Sequence, residues 1–380
     1  MYMFQVLPPQ LATYYAPLLA TAPVACVEIV THLIKGKCLL ATKALQKGDL
    51  VLQESALCCT LNMDSRERNN KEVQSTCSGC LAEVLSSSRV ESGDDIFCTK
   101  GCVDSGRCGF HHAIMSRVDR SFYCTNRWIV AGIDYTDTIL MAAKILTGCI
   151  ERSRREKISL AECWMPWSLF VMEPLNRFDF AYLVNKVEHD DTWGQVDTDY
   201  RRKQLRKMYR TFRSKPSDRD PGVIQANAKS TWTKDSMLAS VSALLQAAIS
   251  QPNPEESEFL SPSRLSLTMG LVLQNSQTRY PSDKSLQGQA IYAIGSCFNH
   301  SCDPNVKVAH CPHHRDERMH AIALRDIAVG EECCISYMDE NRLYEERQWY
   351  LYEHYLFDCT CPKCISEGPE MKSIAGTIVQ

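Results

Sequence analysis

A chain of 380 residues, 44% hydrophobic and 23% charged, has the composition of a globular protein large enough for two or three modules. Its net charge of −3 argues against bulk attraction to nucleic acid, and no uncharged run is long enough to cross a bilayer. The 20 cysteines, several in close pairs and preceded by no basic and apolar leader, point to a reducing compartment, cytoplasmic or nuclear, with some thiols on zinc rather than in disulfides.

Residues 1–23 carry prolines and no clear period, and read as a loose N-terminal extension. Val24 to Val30 is β-rich and leads into a turn at Gly36. Leu39 to Ala44 and Leu50 to Leu57 read as strands around Lys47-Gly48-Asp49. Cys77-x2-Cys80 and Cys98-x3-Cys102 then offer four sulfur ligands, the number a structural zinc takes. Buried free cysteines are the plainer alternative. From about Thr136 to Gln251 the chain reads helical, with Ile139, Ala142, Ala143, Ile145 and Leu146 on one apolar face and Leu238, Val241, Leu244 and Leu245 on another. Gln251-Pro-Asn-Pro closes the second helix. Between them, residues 200–215 are strongly basic, from Arg201 and Arg202 to Lys215; the favoured reading is a solvated helix face, and contact with nucleic acid or an acidic protein is the lesser one.

Further on, Leu267 to Ser276 precedes the stretch around which the chain is organised, Gly295-Ser-Cys-Phe-Asn-His-Ser-Cys-Asp-Pro-Asn305. That run suits neither helix nor clean strand, yet apolar residues flank it on both sides (Ala290 to Ile294, then Val306 and Val308). An irregular polar loop held in a core needs partners for its backbone, as a ligand cradle does. Ala309 to His314 is tempting for metal but reads as a loop between strands. Met319 to Leu324 is a strand, Asp326 to Gly330 a turn, Cys333 to Tyr337 a strand, and Arg342 to Tyr355 an amphipathic helix. Cys359-x-Cys361-x2-Cys364 supplies three metal ligands and wants a fourth.

Four spaced motifs, Lys35-Gly36-Lys37-Cys38 with Lys47-Gly48-Asp49, Asn299-His300-Ser301-Cys302 with Pro304-Asn305, Gly330-Glu331-Glu332 to Tyr337, and Phe357 to Cys364, resemble in order those of the SET-domain lysine methyltransferases. The likeness is nearest to the SET-and-MYND branch and its short members without long C-terminal helical repeats. It implies an α+β SET fold with a pseudoknot-like C-terminus, an inserted MYND-like finger, a helical insert and a post-SET zinc cluster. The implied boundaries are 1–23 for the extension, 24–76 and 261–340 for the two parts of the SET domain, 77–124 for the finger, 125–260 for the helical insert, 341–366 for the post-SET segment and 367–380 for the tail.

The same resemblance implies S-adenosylmethionine and zinc as cofactors and a lysine-bearing protein, histone tail or other, as substrate. Cofactor-binding positions carried over are Lys35, Gly36, Lys37, Asn275, Phe298, Asn299, His300, Tyr337 and Phe357. The hairpin expected over residues 39–57 forms one wall of the cofactor site in the family, which usually has a second glycine where Cys38 stands here. Cys302 supplies the fourth ligand to Cys359, Cys361 and Cys364, pinning the C-terminal segment on the central loop. The finger matches only the first MYND zinc site, through Cys77, Cys80, Cys98 and Cys102. For the second, a middle cysteine pair is missing, His111 or His112 precedes Met115, and Cys108 and Cys124 are stray thiols. Tyr337 is the expected catalytic residue, because methyl transfer to lysine needs a neutral, aligned amine and a phenol is suited to orient it. The rival from another class is an inactive SET and finger adaptor. A monomer without membrane contact is expected.

Overall fold

The computed structural model describes residues 4–62, 76–77, 79–81, 84, 89–92, 95–100, 102, 128–130, 133–178, 232–279, 287–309 and 318–368. Cys108, His111, His112, Met115, Cys124, the basic stretch 200–215 and the residues 310–314 lie outside them.

The chain opens on strand β1 (Phe4–Val6) and helix α1 (Pro9–Thr21). Pro9 sits in the first helical turn, where an N–H is not needed. The expectation of a loose extension is therefore corrected. Leu11, Tyr15 and Leu18 recur at helical spacing and pack on the strand core, with Tyr15 wholly buried.

Next come β2 (Val24–Ala25), β3 (Val27–His32), β4 (Gly36–Ala41), β5 (Leu50–Glu54) and β6 (Cys58–Leu61). β3 and β4 form an antiparallel hairpin, with Val27 opposite Ala41 and His32 opposite Gly36. β1 pairs with the other edge of β3. This corrects a second expectation, that the hairpin would turn at Lys47-Gly48-Asp49. β4 and β5 lie in different sheets. The turn at 46–49 is fastened to a distant segment instead: Lys47 N donates to Asp326 Oδ1 at 2.9 Å, and Gly48 N to the Ala323 carbonyl at 2.9 Å.

In the cysteine-rich finger β7 (Val90–Ser92) pairs with β8 (Asp95–Phe97), and after it β9 (Ile129–Val130) pairs with β10 (Ile133–Asp134). The helical unit follows, with α2 (Thr136–Glu156), α3 (Leu160–Ser168), α4 (Lys234–Ala248), α5 (Pro254–Phe259) and α6 (Pro262–Asn275). Reciprocal capping boxes start three of them, Ser159 with Glu162, Thr233 with Ser236 and Asn253 with Glu256. α2 is buried on most sides from Thr136 to Ile150 and forms the axis on which α3, α4 and α6 pack. None of the described helices is long and apolar enough to cross a membrane.

The last part holds β11 (Gln277–Arg279), β12 (Gly288–Ile291), β13 (Asn299–His300), β14 (Val306–Ala309), β15 (Met319–Ala323), β16 (Cys334–Ile335), α7 (Tyr344–Tyr355) and α8 (Pro362–Glu367). One sheet runs β14-β15-β5-β2 and another β11-β12-β6. The second sheet divides two cores. Successive strand residues face opposite ways, so Cys58 and Ile291 join the helical core while Cys59 and Ala290 join the strand core with Leu39, Val51, Tyr292, Phe298 and Met319. Through that divide Lys144 of α2, itself buried, donates to the Cys59 carbonyl at 2.7 Å.

Residues 331–337 are bonded on both flanks. On one side Cys333 N donates to the Leu39 carbonyl and Ala41 N to the Glu331 carbonyl. On the other, β16 pairs parallel with β13, and Asn305 accepts from Cys334 N at 2.8 Å while donating to the Glu332 carbonyl at 2.8 Å. The C-terminal strand is thus gripped by the 298–305 loop, the pseudoknot-like arrangement of the expected fold.

Candidate active site and metal centres

The site is built on three backbone supports. The first is the tip of the β3–β4 hairpin. His32 Nδ1 accepts from Ile34 N at 3.1 Å and Lys35 N at 3.2 Å, shaping the turn that delivers Lys35, Gly36 and Lys37. Gly36 has φ +75°, and a Cβ placed there would meet nothing within 4 Å, so the backbone at this point borders open space.

The second support is Glu54, at the end of β5. It is buried, and its carboxylate accepts from Ile294 N at 2.9 Å and Gly295 N at 2.8 Å, holding the first turn of the central loop. Burial pushes the Glu54 carboxyl up to about 7, against the lowering effect of the backbone N–H groups of residues 293–295. Gly295 is closely packed: a Cβ there would lie 2.7 Å from Met319 Cε and 3.0 Å from Tyr292 Cβ, so the buried Met319 side chain would have to move.

The third support is the pairing of β13 with β16, which aligns Asn299, His300 and Tyr337. Asn299 Nδ2 donates to the Lys37 carbonyl, Cys38 Sγ and Glu332 Oε1, each at 3.0 Å. The Lys35 ammonium bonds the other Glu332 oxygen at 2.6 Å. Burial works to raise the Glu332 carboxyl, yet Lys35 and Asn299 outweigh it and hold the group below its ordinary value. Cys38 is wholly buried and presents its sulfur as an acceptor to Asn299, so the cysteine is used within the site.

His300 links two parts of the site. Its Nδ1 accepts from Tyr337 N at 3.0 Å, which leaves the proton of the neutral ring on Nε2, 3.2 Å from Cys302 Sγ. Burial pushes the imidazole down to about 4, favouring that neutral form. The Tyr337 hydroxyl donates to the Phe298 carbonyl at 2.6 Å. Its ring lies 4.7 Å from Tyr355, 5.3 Å from His300 and 6.4 Å from Phe357, between centroids. Burial, and then the neighbouring Tyr355 phenol, push the Tyr337 phenol up, so it stays protonated. Asn275 is buried at the end of α6, with its amide spent on the Val171 and Leu271 carbonyls at 2.7 and 2.8 Å. Lys37 directs its amine to the Tyr15 hydroxyl at 2.8 Å and the Leu169 carbonyl at 2.5 Å.

Both four-cysteine groups come together. Cys302, Cys359, Cys361 and Cys364 form one and Cys77, Cys80, Cys98 and Cys102 the other, with all sulfurs of a group within 4.8 Å of one another. A tetrahedral zinc with Zn–S of about 2.3 Å sets sulfurs about 3.8 Å apart. Cys302 lies 3.9 Å from Cys359 and 3.5 Å from Cys364, and in the finger Cys77–Cys102 and Cys80–Cys98 are each 3.6 Å, so both donor sets fit such an ion. Gln348 of α7 fastens the C-terminal group by exchanging two bonds with the backbone of Cys359, both at 2.8 Å. The finger is fastened too: Cys59 Sγ donates to the Gly79 carbonyl at 2.8 Å, and Leu81 is buried in the strand core.

The site residues that sequence reasoning left without a role are Glu54, Glu332 and Arg347, the last of which donates to Cys364 Sγ at 3.5 Å. Glu332 had a signal in the Gly-Glu-Glu run. Glu54 and Arg347 had none beyond being charged.

The closeness of Tyr337, Asn299 and His300 to the C-terminal cysteines frames the comparison with known proteins. The chain is 40% identical over 87 residues to the mouse protein-lysine N-trimethyltransferase SMYD5, a match covering 22% of this chain and 20% of the mouse protein. It is 24% identical over 360 residues to the histone-lysine N-methyltransferase SET5 of Mycosarcoma maydis, covering 88% of this chain and 66% of the fungal protein. With histone-lysine N-methyltransferase ATXR2 of Arabidopsis thaliana it shares 46% over 82 residues, 22% of this chain and 17% of the plant protein. The matches thus span less than two thirds of each relative. A model of the SET domain matches residues 36–338, from strand β4 through the helical insert and the central loop to Tyr337, and the chain belongs to the SET-domain family.

Proposed function

We propose that the protein is an S-adenosylmethionine-dependent protein-lysine N-methyltransferase. The observation that carries this reading is the Tyr337 hydroxyl held against the Phe298 carbonyl at 2.6 Å, one residue before Asn299, whose amide bonds the Lys37 carbonyl of the β3–β4 hairpin at 3.0 Å. Because that hydroxyl donates to Phe298, its lone pairs are left to accept from an incoming amine. The aromatic surround of Tyr355, Phe357 and His300 lowers the local polarity and so penalises an ammonium, which favours the neutral lysine. The cofactor, when bound, supplies an electrophilic methyl group on a sulfonium. The backbone at 36–38 and 298–300 would hold it, with Lys35, Lys37, Phe298, Asn299, His300 and Phe357 around it. Asn299 and Lys37 act there by fixing backbone, since their side chains are engaged within the protein. Asn275 acts as a brace at the end of α6.

The four thiolates of residues 302, 359, 361 and 364 would hold zinc and close the C-terminal segment over the loop, and those of 77, 80, 98 and 102 a second zinc in the finger. Residues 24–76 and 261–340 are read as the two parts of one SET unit, with 77–124 and 125–260 inserted and 341–366 as its closing segment. The substrate is a protein lysine, on a histone tail or another protein, met in the nucleus or cytoplasm. The test is incubation of the purified chain with methyl-labelled cofactor and cell lysate, followed by mass spectrometry of the labelled bands. Methyl-lysine that disappears with Tyr337→Phe is expected. Absence of both label and calorimetric cofactor binding in zinc-loaded protein overturns the reading in favour of the adaptor.

A further inference from the structure

Arg347 of α7 is 1% exposed, and its guanidinium is aimed at the C-terminal cysteine group. One nitrogen donates to Cys364 Sγ at 3.5 Å and to Glu367 Oε2 at 2.7 Å, and another to the Arg342 carbonyl at 2.7 Å. A buried cation needs an opposing charge. Glu367 supplies one from a carboxylate that is itself 40% exposed and shared with solvent. A neutral thiol is a weak acceptor and adds little. The sulfurs become strong acceptors when they are thiolates on a metal, and four thiolates around Zn²⁺ leave an excess of negative charge. That excess sits where Cys302, Cys359 and Cys364 are all buried.

We infer that Arg347 is the counter-charge of the C-terminal zinc centre, a positioning residue that holds the metal through its thiolates rather than a strut between two helices. The His300 Nε2–H directed at Cys302 is a second donor on the same cluster. This rests on the zinc reading of the four cysteines. A strut and a counter-charge differ in what matters. A strut requires the Arg347–Glu367 pair, whereas a counter-charge requires only a cation facing the sulfurs.

The full chain and its R347Q, R347K and E367Q variants, loaded with zinc, are pulsed with N-ethylmaleimide in the presence of EDTA. Peptide mass spectrometry then reads the alkylation rate at each cysteine. R347Q is expected to accelerate alkylation of residues 302, 359, 361 and 364 by about 10- to 100-fold, the range typical of lost support around metal ligands. R347K and E367Q are expected to stay near wild type, and the finger cysteines 77, 80, 98 and 102 to be unchanged throughout. Wild-type rates in R347Q, or E367Q as fast as R347Q, overturn the inference. If R347Q does not fold, E367Q decides: wild-type rates at the C-terminal cysteines support the counter-charge, and rapid alkylation there identifies a strut. Native mass spectrometry separates the two levels, since a wild-type chain retaining no zinc at the C-terminal cysteines sinks the zinc reading itself, while a loaded chain indifferent to R347Q sinks only the role of Arg347.

Discussion

The Tyr337 hydroxyl donates to the Phe298 carbonyl across 2.6 Å, joining the end of the C-terminal strand to the residue before the Asn299-His300 pair. This bond fixes the direction of the phenolic lone pairs. Tyr337→Phe removes both the bond and the acceptor for the amine. We expect kcat to fall by about 10²- to 10³-fold, in line with the loss of one positioned polar group at a reacting centre. Cofactor affinity is expected to change little, and stability by about 1 kcal/mol. Steady-state kinetics with calorimetry checks this, and an unchanged kcat would remove Tyr337 from the chemistry.

Cys302 belongs to the central loop in sequence and to the C-terminal cysteines in space. Cys302→Ser should lower the zinc content by one per chain and depress the melting temperature and methyl transfer together, because folding of the closing segment depends on the ion. Cys80→Ser should also cost one zinc. Elemental analysis beside activity assays decides the matter, and full activity in a Cys302→Ser protein that has lost its metal would separate the closing segment from function.

Glu54 gives the fold a pH dependence of definite sign. Its carboxyl stands at about 7 in the folded protein against 4.5 ordinarily. Between these values the native state keeps a proton that the unfolded chain has released. The contribution of this group is therefore greatest below pH ~4.5 and is lost as pH rises to about 7, by roughly 3 kcal/mol. Glu54→Gln has no such proton. The difference in unfolding free energy between wild type and Glu54→Gln, measured in urea from pH 4.5 to 8, should fall along that course. Other titrating groups cancel in the difference, and a flat difference would contradict the account.

Cys38 stands where the family usually has glycine, and its sulfur accepts from Asn299. The Asn299 amide has two hydrogens, and the Lys37 carbonyl and Glu332 remain to take them. Cys38→Gly should thus cost about 1–3 kcal/mol of stability, through lost packing and a freer strand, while leaving cofactor affinity within a few fold. Tenfold tighter binding in Cys38→Gly would show instead that the thiol obstructs the cofactor.

Much of the site was legible because the loop residues are dictated by contacts that tolerate little else. Gly295 packs against Met319 and Tyr292, Asn305 bonds strand residues on both its amide atoms, and Cys302 meets its three partners from the far end of the chain. Other parts were hidden for physical reasons. Prolines at 8, 9 and 17 obscured the helical period of α1. The Lys47-Gly48-Asp49 segment is a tight turn, with Asp49 N donating to the Gln46 carbonyl, but its further bonds run to residues 323 and 326, a partnership that local propensity does not reveal. Glu54 ends an otherwise uncharged strand and Arg347 is one of several charges in a polar helix, and only the fold shows that both point inward.

The bond from Cys59 to Gly79 has a mechanical consequence. Cys59 lies opposite Ala290 in the sheet, and Ala290 is five positions before Gly295. The knuckle of the finger therefore has no hinge of its own at this point. A load applied to it is borne by β6 and by its neighbour β12, which leads into the Asn299 loop, so whatever grips the finger pulls on the approach to that loop as well.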